Sequence, residues 1–231
     1  MHPPHPLPEP AQAALMRLEK LCPMRYQDFS FQQNTLQIWT ACDIDPLLNA
    51  LMEKDPDHPD VQDERMPYWA ELWPSSLLMA ETIALRHSHL PSGPWLELGC
   101  GPGLPGILAA QFGRKGVCSD YMQEALWLAE LNAHQNGCAD HIRFKRLDWR
   151  EPDLSEHFRW ILAGDVAYEN RNFSPLLKTF DQLLSPDGEI WLGEPGRSVA
   201  RPFFQAIEAE GWQREVIGQQ AELSLHRIWR T

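Results

Sequence analysis

Apolar and polar positions along the chain follow two rhythms, which change near residue 67. Upstream, residues 11–21 carry a helical apolar stripe that Pro23 stops. Residues 29–31 and 36–39 read as short strands around Gln32-Gln33-Asn34, the composition of a hairpin turn. Asp45 and Pro46 precede Leu47-Leu48, as an N-cap and first-turn proline precede an apolar helix face. The acidic segment 53–64 reads as a solvated linker, with a docking surface for a basic partner as the sharper alternative. Residues 1–10 include five prolines and predict a flexible tail that starts no helix.

From residue 94 onward, short apolar runs alternate with helical stripes. The runs are 95–98, 116–119, 142–145, 160–163 and 189–192, the fourth continuous enough to be buried on both faces. Between them lie helices beginning near residues 104, 122 and 174, with another through Val199, Phe203 and Ile207. A Pro186-Asp187-Gly188 turn precedes the fifth strand. Two last runs, 212–217 and 222–229, are too close for a parallel crossover and predict an antiparallel pair. The expected fold is α/β: a seven-stranded, mostly parallel sheet with an antiparallel last strand. It occupies residues 67–231, behind an N-terminal extension over 11–66.

Composition narrows the picture. Of 231 residues, 43% are hydrophobic and 23% charged, which excludes a disordered chain or a fibre. Twenty Lys and Arg against 32 Asp and Glu give a net charge of −12, which disfavours nucleic acid and anionic membranes as partners. No apolar run approaches the roughly 20 residues of a membrane span, and the N-terminus lacks a signal-peptide pattern. Cys22, Cys42, Cys100, Cys118 and Cys138 form no C-x-x-C pair and predict reduced thiols in a cytoplasmic protein. The histidines have no metal-site spacing. Composition is silent on oligomeric state.

The candidate chemistry lies where the first strand of the alternating region meets its helix, at Glu97-Leu98-Gly99-Cys100-Gly101-Pro102-Gly103. Glycines there let backbone approach a ligand closely, and open parallel sheets bind ligands beyond their carboxyl strand ends. The stretch also fits the dinucleotide pattern G-x-G-x-x-G, a weak signal alone. Glu97 tips the choice toward S-adenosylmethionine (SAM), whose lack of a pyrophosphate lets a loop carboxylate hold its amino-acid end. Asp120, beside Tyr121, ends the second strand, 23 residues after Glu97, and is placed to accept ribose hydroxyls or to cap the next helix. Asp148-Trp149 follows the third strand, where an adenine would find an acidic edge and an aromatic face; core packing is the plainer role for Trp149.

Three further segments make the pattern specific: Pro67-Tyr68-Trp69-Ala70-Glu71-Leu72-Trp73-Pro74, Gly164-Asp165-Val166-Ala167-Tyr168 and Gly193-Glu194-Pro195-Gly196-Arg197. Together with the glycine loop, they resemble the tryptophan segment, D-x-x-Y signature and G-D-P-G-R element of the seven-strand lysine methyltransferases, methyltransferase family 16. Glu194 replaces the aspartate. Within that family the likeness runs toward the branch acting on the electron-transfer-flavoprotein beta subunit. The resemblance implies a Rossmann-like class I methyltransferase fold and SAM as cofactor. It implies cofactor contacts from Trp73, Gly99, Cys100, Gly101, Asp120, Trp149 and Gly164, and a catalytic channel shaped by Asp165 and Tyr168. The implied acceptor is a lysine side chain of a protein substrate. A small amine as acceptor, and a noncatalytic module binding SAM or a dinucleotide, are the alternatives.

Overall fold

The computed structural model describes residues 7–230. Helix α1 (Glu9–Leu18) carries Pro10 in its first turn, where a missing N–H costs nothing. Its buried Ala11, Ala14 and Leu18 pack with Leu7, which is itself buried. The tail expected over 1–10 is therefore anchored from Leu7 onward, because an apolar residue and a helix-compatible proline close the Pro-rich run; residues 1–6 lie outside the described residues. Strands β1 (Met24–Phe31) and β2 (Asn34–Ala41) form the expected hairpin, with Phe31 opposite Asn34. Helix α2 (Asp45–Met52) begins at Asp45 rather than after it, and the Asp45 N–H donates to Asp43 Oδ1 at 3.0 Å. Segment 53–64 is not a featureless linker. It contains a one-turn helix, α3 (Pro59–Gln62), and its acids meet arginines.

Next come a short 3-10 turn over Tyr68–Ala70 and helix α4 (Pro74–Leu85). The sheet then alternates β3 (Trp95–Leu98), α5 (Leu104–Gln111), β4 (Gly116–Asp120), α6 (Gln123–Gln135), β5 (Ile142–Arg146), β6 (Phe158–Gly164), α7 (Phe173–Leu183), β7 (Leu184–Glu194), α8 (Ala200–Ala209), β8 (Gln213–Gln220) and β9 (Leu223–Trp229). Helix α7 starts one residue before Ser174, which lies inside its first turn. The strand order is β5-β4-β3-β6-β7-β9-β8, with β9 alone running against its neighbours. The turn expected at 186–188 is an outward bulge within β7, since pairing jumps from Phe158–Leu184 to Trp160–Glu189.

Alternation along β3 sorts its side chains onto two cores. Trp95 packs on the face covered by α4, α5 and the hairpin, and Leu96 and Leu98 on the face covered by α7 and α8. The winding direction reverses between β3 and β6, whose Leu98 and Ala163 are paired. A crevice must open beyond that pair. Asn132 on α6, fully buried, ties the N-terminal layer to the loop after β3. Its Oδ1 accepts from Trp39 N at 2.7 Å, and its Nδ2 donates to Trp39 O at 3.1 Å and Pro102 O at 2.9 Å.

Candidate active site

The crevice is a cleft of about 590 Å³ beyond the carboxyl ends of β3, β4, β5 and β6. Its floor is the loop leaving β3. Gly99, Gly101 and Gly103 have φ of +64°, +50° and +78°, a run in the left-handed region that side chains resist. A Cβ on Gly101 would stand 3.4 Å from the Trp69 carbonyl oxygen, so Gly101 also admits the tryptophan segment at close range. Gly99, Cys100 and Gly101 line the cleft, and Gly103 does not. A Cβ on Gly103 would meet the Ala129 Cβ at 3.0 Å, so that glycine lets the loop pack against α6.

Glu97 is also absent from the lining. The pleat that sends Leu96 and Leu98 to one face of β3 sends Glu97 to the other, beneath α5. Its Oε2 accepts from Gly106 N at 3.0 Å and from Cys118 Sγ at 3.5 Å. Burial pushes its pKa up to about 8, so the group keeps its proton at neutral pH. The structure thus gives Glu97 a place under the loop rather than against a ligand.

Asp120 faces the cleft and braces the floor. Its Oδ2 accepts from Gly101 N at 3.0 Å, and its Oδ1 from Met122 N, just before α6, at 2.9 Å. Burial raises its pKa to about 6, leaving it mostly ionised at neutral pH. Tyr121 follows, and Asp148 and Trp149 come from the loop after β5. The Asp148 carboxylate is shared with Arg150, whose Nε lies 2.9 Å from both oxygens.

The opposite wall comes from β6 and β7. Gly164 ends β6, and Asp165 follows at φ +57°, held by its N–H to Gly193 O at 3.0 Å. For a non-glycine residue that conformation costs about 1–2 kcal/mol. The Asp165 carboxyl is 11% exposed and accepts no hydrogen bond; Arg197 Nη1 stands 2.9 Å from Oδ1 without donor alignment. Arg197 is presented by Glu194, whose oxygens accept from Gly196 N at 2.8 Å and Arg197 N at 2.6 Å. Its guanidinium lies 6.0 Å from the Trp73 ring centroid. Tyr168, whose hydroxyl pKa is pushed up to about 12 chiefly by burial, meets the Tyr68 ring edge-on at 6.1 Å, and Tyr68 meets Trp73 likewise at 5.6 Å.

Sequence reasoning therefore missed Arg65, Asp63, Arg150, Arg171 and Arg197 as lining residues, and quoted Tyr68 without a role. A readable signal was present. Asp63-Glu64-Arg65, Asp148-Trp149-Arg150 and Glu169-Asn170-Arg171 each place an arginine two residues after an acid, and each is an ion pair in the structure. Among the described residues no group of three or more His, Cys, Asp or Glu could hold a metal, and no helix is long and apolar enough to cross a membrane.

This strand order, with a glycine-floored cleft at the switch point, is the class I methyltransferase architecture. It superposes on the ribosomal protein L11 methylase of Lactobacillus delbrueckii subsp. bulgaricus with a TM-score of 0.55, covering 68% of this chain and 77% of that one at 20% identity. The chain belongs to the lysine methyltransferase family, whose sequence profile matches residues 62–210. It is 32% identical over 140 residues to the histone-arginine methyltransferase METTL23 of Xenopus laevis, covering 57% of this chain and 59% of that protein. It is also 32% identical over 128 residues to the protein-lysine methyltransferase METTL21E of Mus musculus, covering 50% and 52%. The match thus spans little more than half the length of these two relatives.

Proposed function

We propose that the protein is a SAM-dependent methyltransferase acting on a lysine side chain of a protein substrate. The cleft suits the cofactor on its own chemistry. Gly99 and Gly101 leave room where side chains would intrude, Asp120 supplies an ionised carboxylate, and Trp149 supplies an apolar wall. Trp73, Gly99, Cys100, Gly101, Asp120, Tyr121, Asp148, Trp149 and Gly164 would hold it. When bound, SAM supplies a methyl group activated on a sulfonium.

One observation carries the acceptor assignment: Asp165, a buried carboxylate with no hydrogen bond, in a cleft whose walls include the Tyr168 and Trp73 rings. It meets the Arg197 guanidinium at 2.9 Å in an ion pair without hydrogen-bond alignment, so its lone pairs stay open to an aligned cationic donor. An incoming ammonium would find Asp165 as counter-charge and aromatic faces at its flanks. Asp165 orients the nitrogen and passes its proton toward water, and in-line positioning supplies much of the acceleration. A second reading has its own observation: the cation already beside Asp165 and Trp73 is a guanidinium, that of Arg197. An arginine acceptor is therefore the alternative to test. The five free thiols support a reducing, cytoplasmic setting.

The test is methyl-labelled SAM incubated with the protein and an extract from cells lacking it, followed by hydrolysis and identification of the labelled amino acid. Methyl-lysine is the expected product. Methyl-arginine would transfer the assignment to the second reading, and label confined to small amines would remove the protein substrate.

A further inference from the structure

The segment over residues 59–66 crosses the cleft as a strap. After α3, the chain turns at Glu64, whose φ is +51°, and places residues on both sides of the opening. At one end, Asp63 is gripped by four donors, the weakest of them Arg65 Nη2 at 3.3 Å from its Oδ2. Arg150 Nη1 lies 3.0 Å from its Oδ1 and Nη2 3.2 Å from its Oδ2, while the Tyr121 hydroxyl donates to Oδ2 at 2.9 Å. Those donors hold the Asp63 carboxyl well below the usual carboxylate range, with Arg150 the largest contributor. Arg65 lies 4.4 Å over the Tyr121 ring, pairs with Asp60 and donates to the Tyr121 hydroxyl. At the other end, Glu64 pairs with Arg171 at 2.8 Å, and Arg171 pairs with Glu169, next to Tyr168.

Two features show that the strap belongs to the binding site rather than merely crossing it. Its anchors, Tyr121 and Arg150, adjoin Asp120 and Trp149, the residues that flank the nucleoside end of the cleft. In addition, Arg65 lines the cleft and its Nε is buried without a hydrogen-bond partner, a donor for which the protein itself offers no acceptor.

We propose that Asp63 and Arg65 form the roof of a nucleoside subsite and that the Asp63 contacts to Arg150 and Tyr121 latch it shut. The proposal rests on the SAM reading and extends it: the ligand class is an adenosine derivative, and the strap sets its residence time. The strap spans the cleft from Arg150 and Tyr121 to Arg171, so a ligand must pass an opened strap in both directions. Weakening the latch should accelerate entry and exit together and change affinity less than either rate. An exposed ion-pair latch is screened by salt, so exit from the wild-type protein should also quicken as ionic strength rises.

The test is stopped-flow binding and displacement of S-adenosylhomocysteine on the full chain, comparing wild type with Asp63→Asn and Tyr121→Phe across a salt series. Asp63→Asn should release the ligand about tenfold faster at low salt and lose most of the salt dependence. Tyr121→Phe, which removes one donor and keeps the ring, should fall between it and wild type. Release from Asp63→Asn within twofold of wild type, with salt dependence intact, would overturn the latch and leave the SAM reading standing. No binding by wild type would remove that reading and the latch with it.

Discussion

Glu97 offers a prediction whose size follows from its surroundings. Replacing it with Gln keeps its shape and its acceptor for the Gly106 and Cys118 donors, and removes its titration. In the folded protein Glu97 holds its proton up to about pH 8, against an ordinary value of 4.5. A carboxyl whose folded pKa is raised contributes stability that is complete below the unfolded value and is lost as pH rises through the folded one. Each pH unit in that window is worth about 1.4 kcal/mol, so crossing from pH 5 to pH 8 should cost wild type about 4 kcal/mol through this group. Asp120 also has a raised value, and the excess of acids over bases adds repulsion at high pH. Both operate in wild type and variant, so the difference between them reports chiefly on Glu97. Urea unfolding at half-unit steps from pH 5 to 8.5 measures it. The Glu97→Gln stability should be close to wild type at pH 5 and exceed it by several kcal/mol at pH 8. Two curves that stay parallel across the range would refute a protonated Glu97, and with it the placement of that side chain in a dry pocket beneath α5.

Removing the Asn132 amide orphans the Trp39 N–H, the Trp39 carbonyl and the Pro102 carbonyl in a buried site. Asn132→Ala should therefore cost about 3 kcal/mol and, in a chain of this length, lower Tm by about 6–12 °C in a calorimetric scan; an unchanged Tm would mean that the hairpin is not held there. Asp120→Ala should weaken SAM binding by about 1.5–3 kcal/mol in titration calorimetry, since it removes both the floor's brace and a charged acceptor, and wild-type affinity in that variant would take Asp120 out of the site.

The central architecture was legible because its signals are local. The run Trp95–Leu98 is apolar except at Glu97 and ends in a glycine cluster, and both its bounds and its central place follow from those features. The last two strands were readable as an antiparallel pair from the shortness of their link. Glu97 misled because its role depends on which face of β3 it occupies, and that follows from tertiary burial rather than from its neighbours. The strap was hidden for a different reason. A dense acidic run resembles solvated chain until its partners are known, and Arg150 and Arg171 lie 87 and 107 residues from Asp63 and Glu64. Leu7 escaped because the prolines around it gave no helical period, although Pro10 in a first turn is compatible with the helix that forms. Arg197 could be quoted from its motif, but its approach to Asp165 depends on how the loops after β6 and β7 come together.

The central claim, that Asp165 serves an amine acceptor beside a SAM site, is tested most directly by Asp165→Asn. The two measurements are turnover on the methylated protein identified from extract and, in parallel, SAM affinity by calorimetry. A group acting mainly in the transition state lowers kcat far more than ground-state binding. Turnover should fall by roughly 10²–10⁴ while SAM affinity stays within a few-fold. Turnover equal to wild type would contradict the account, and a matching collapse of SAM affinity would move Asp165 from the acceptor side of the cleft to the cofactor side.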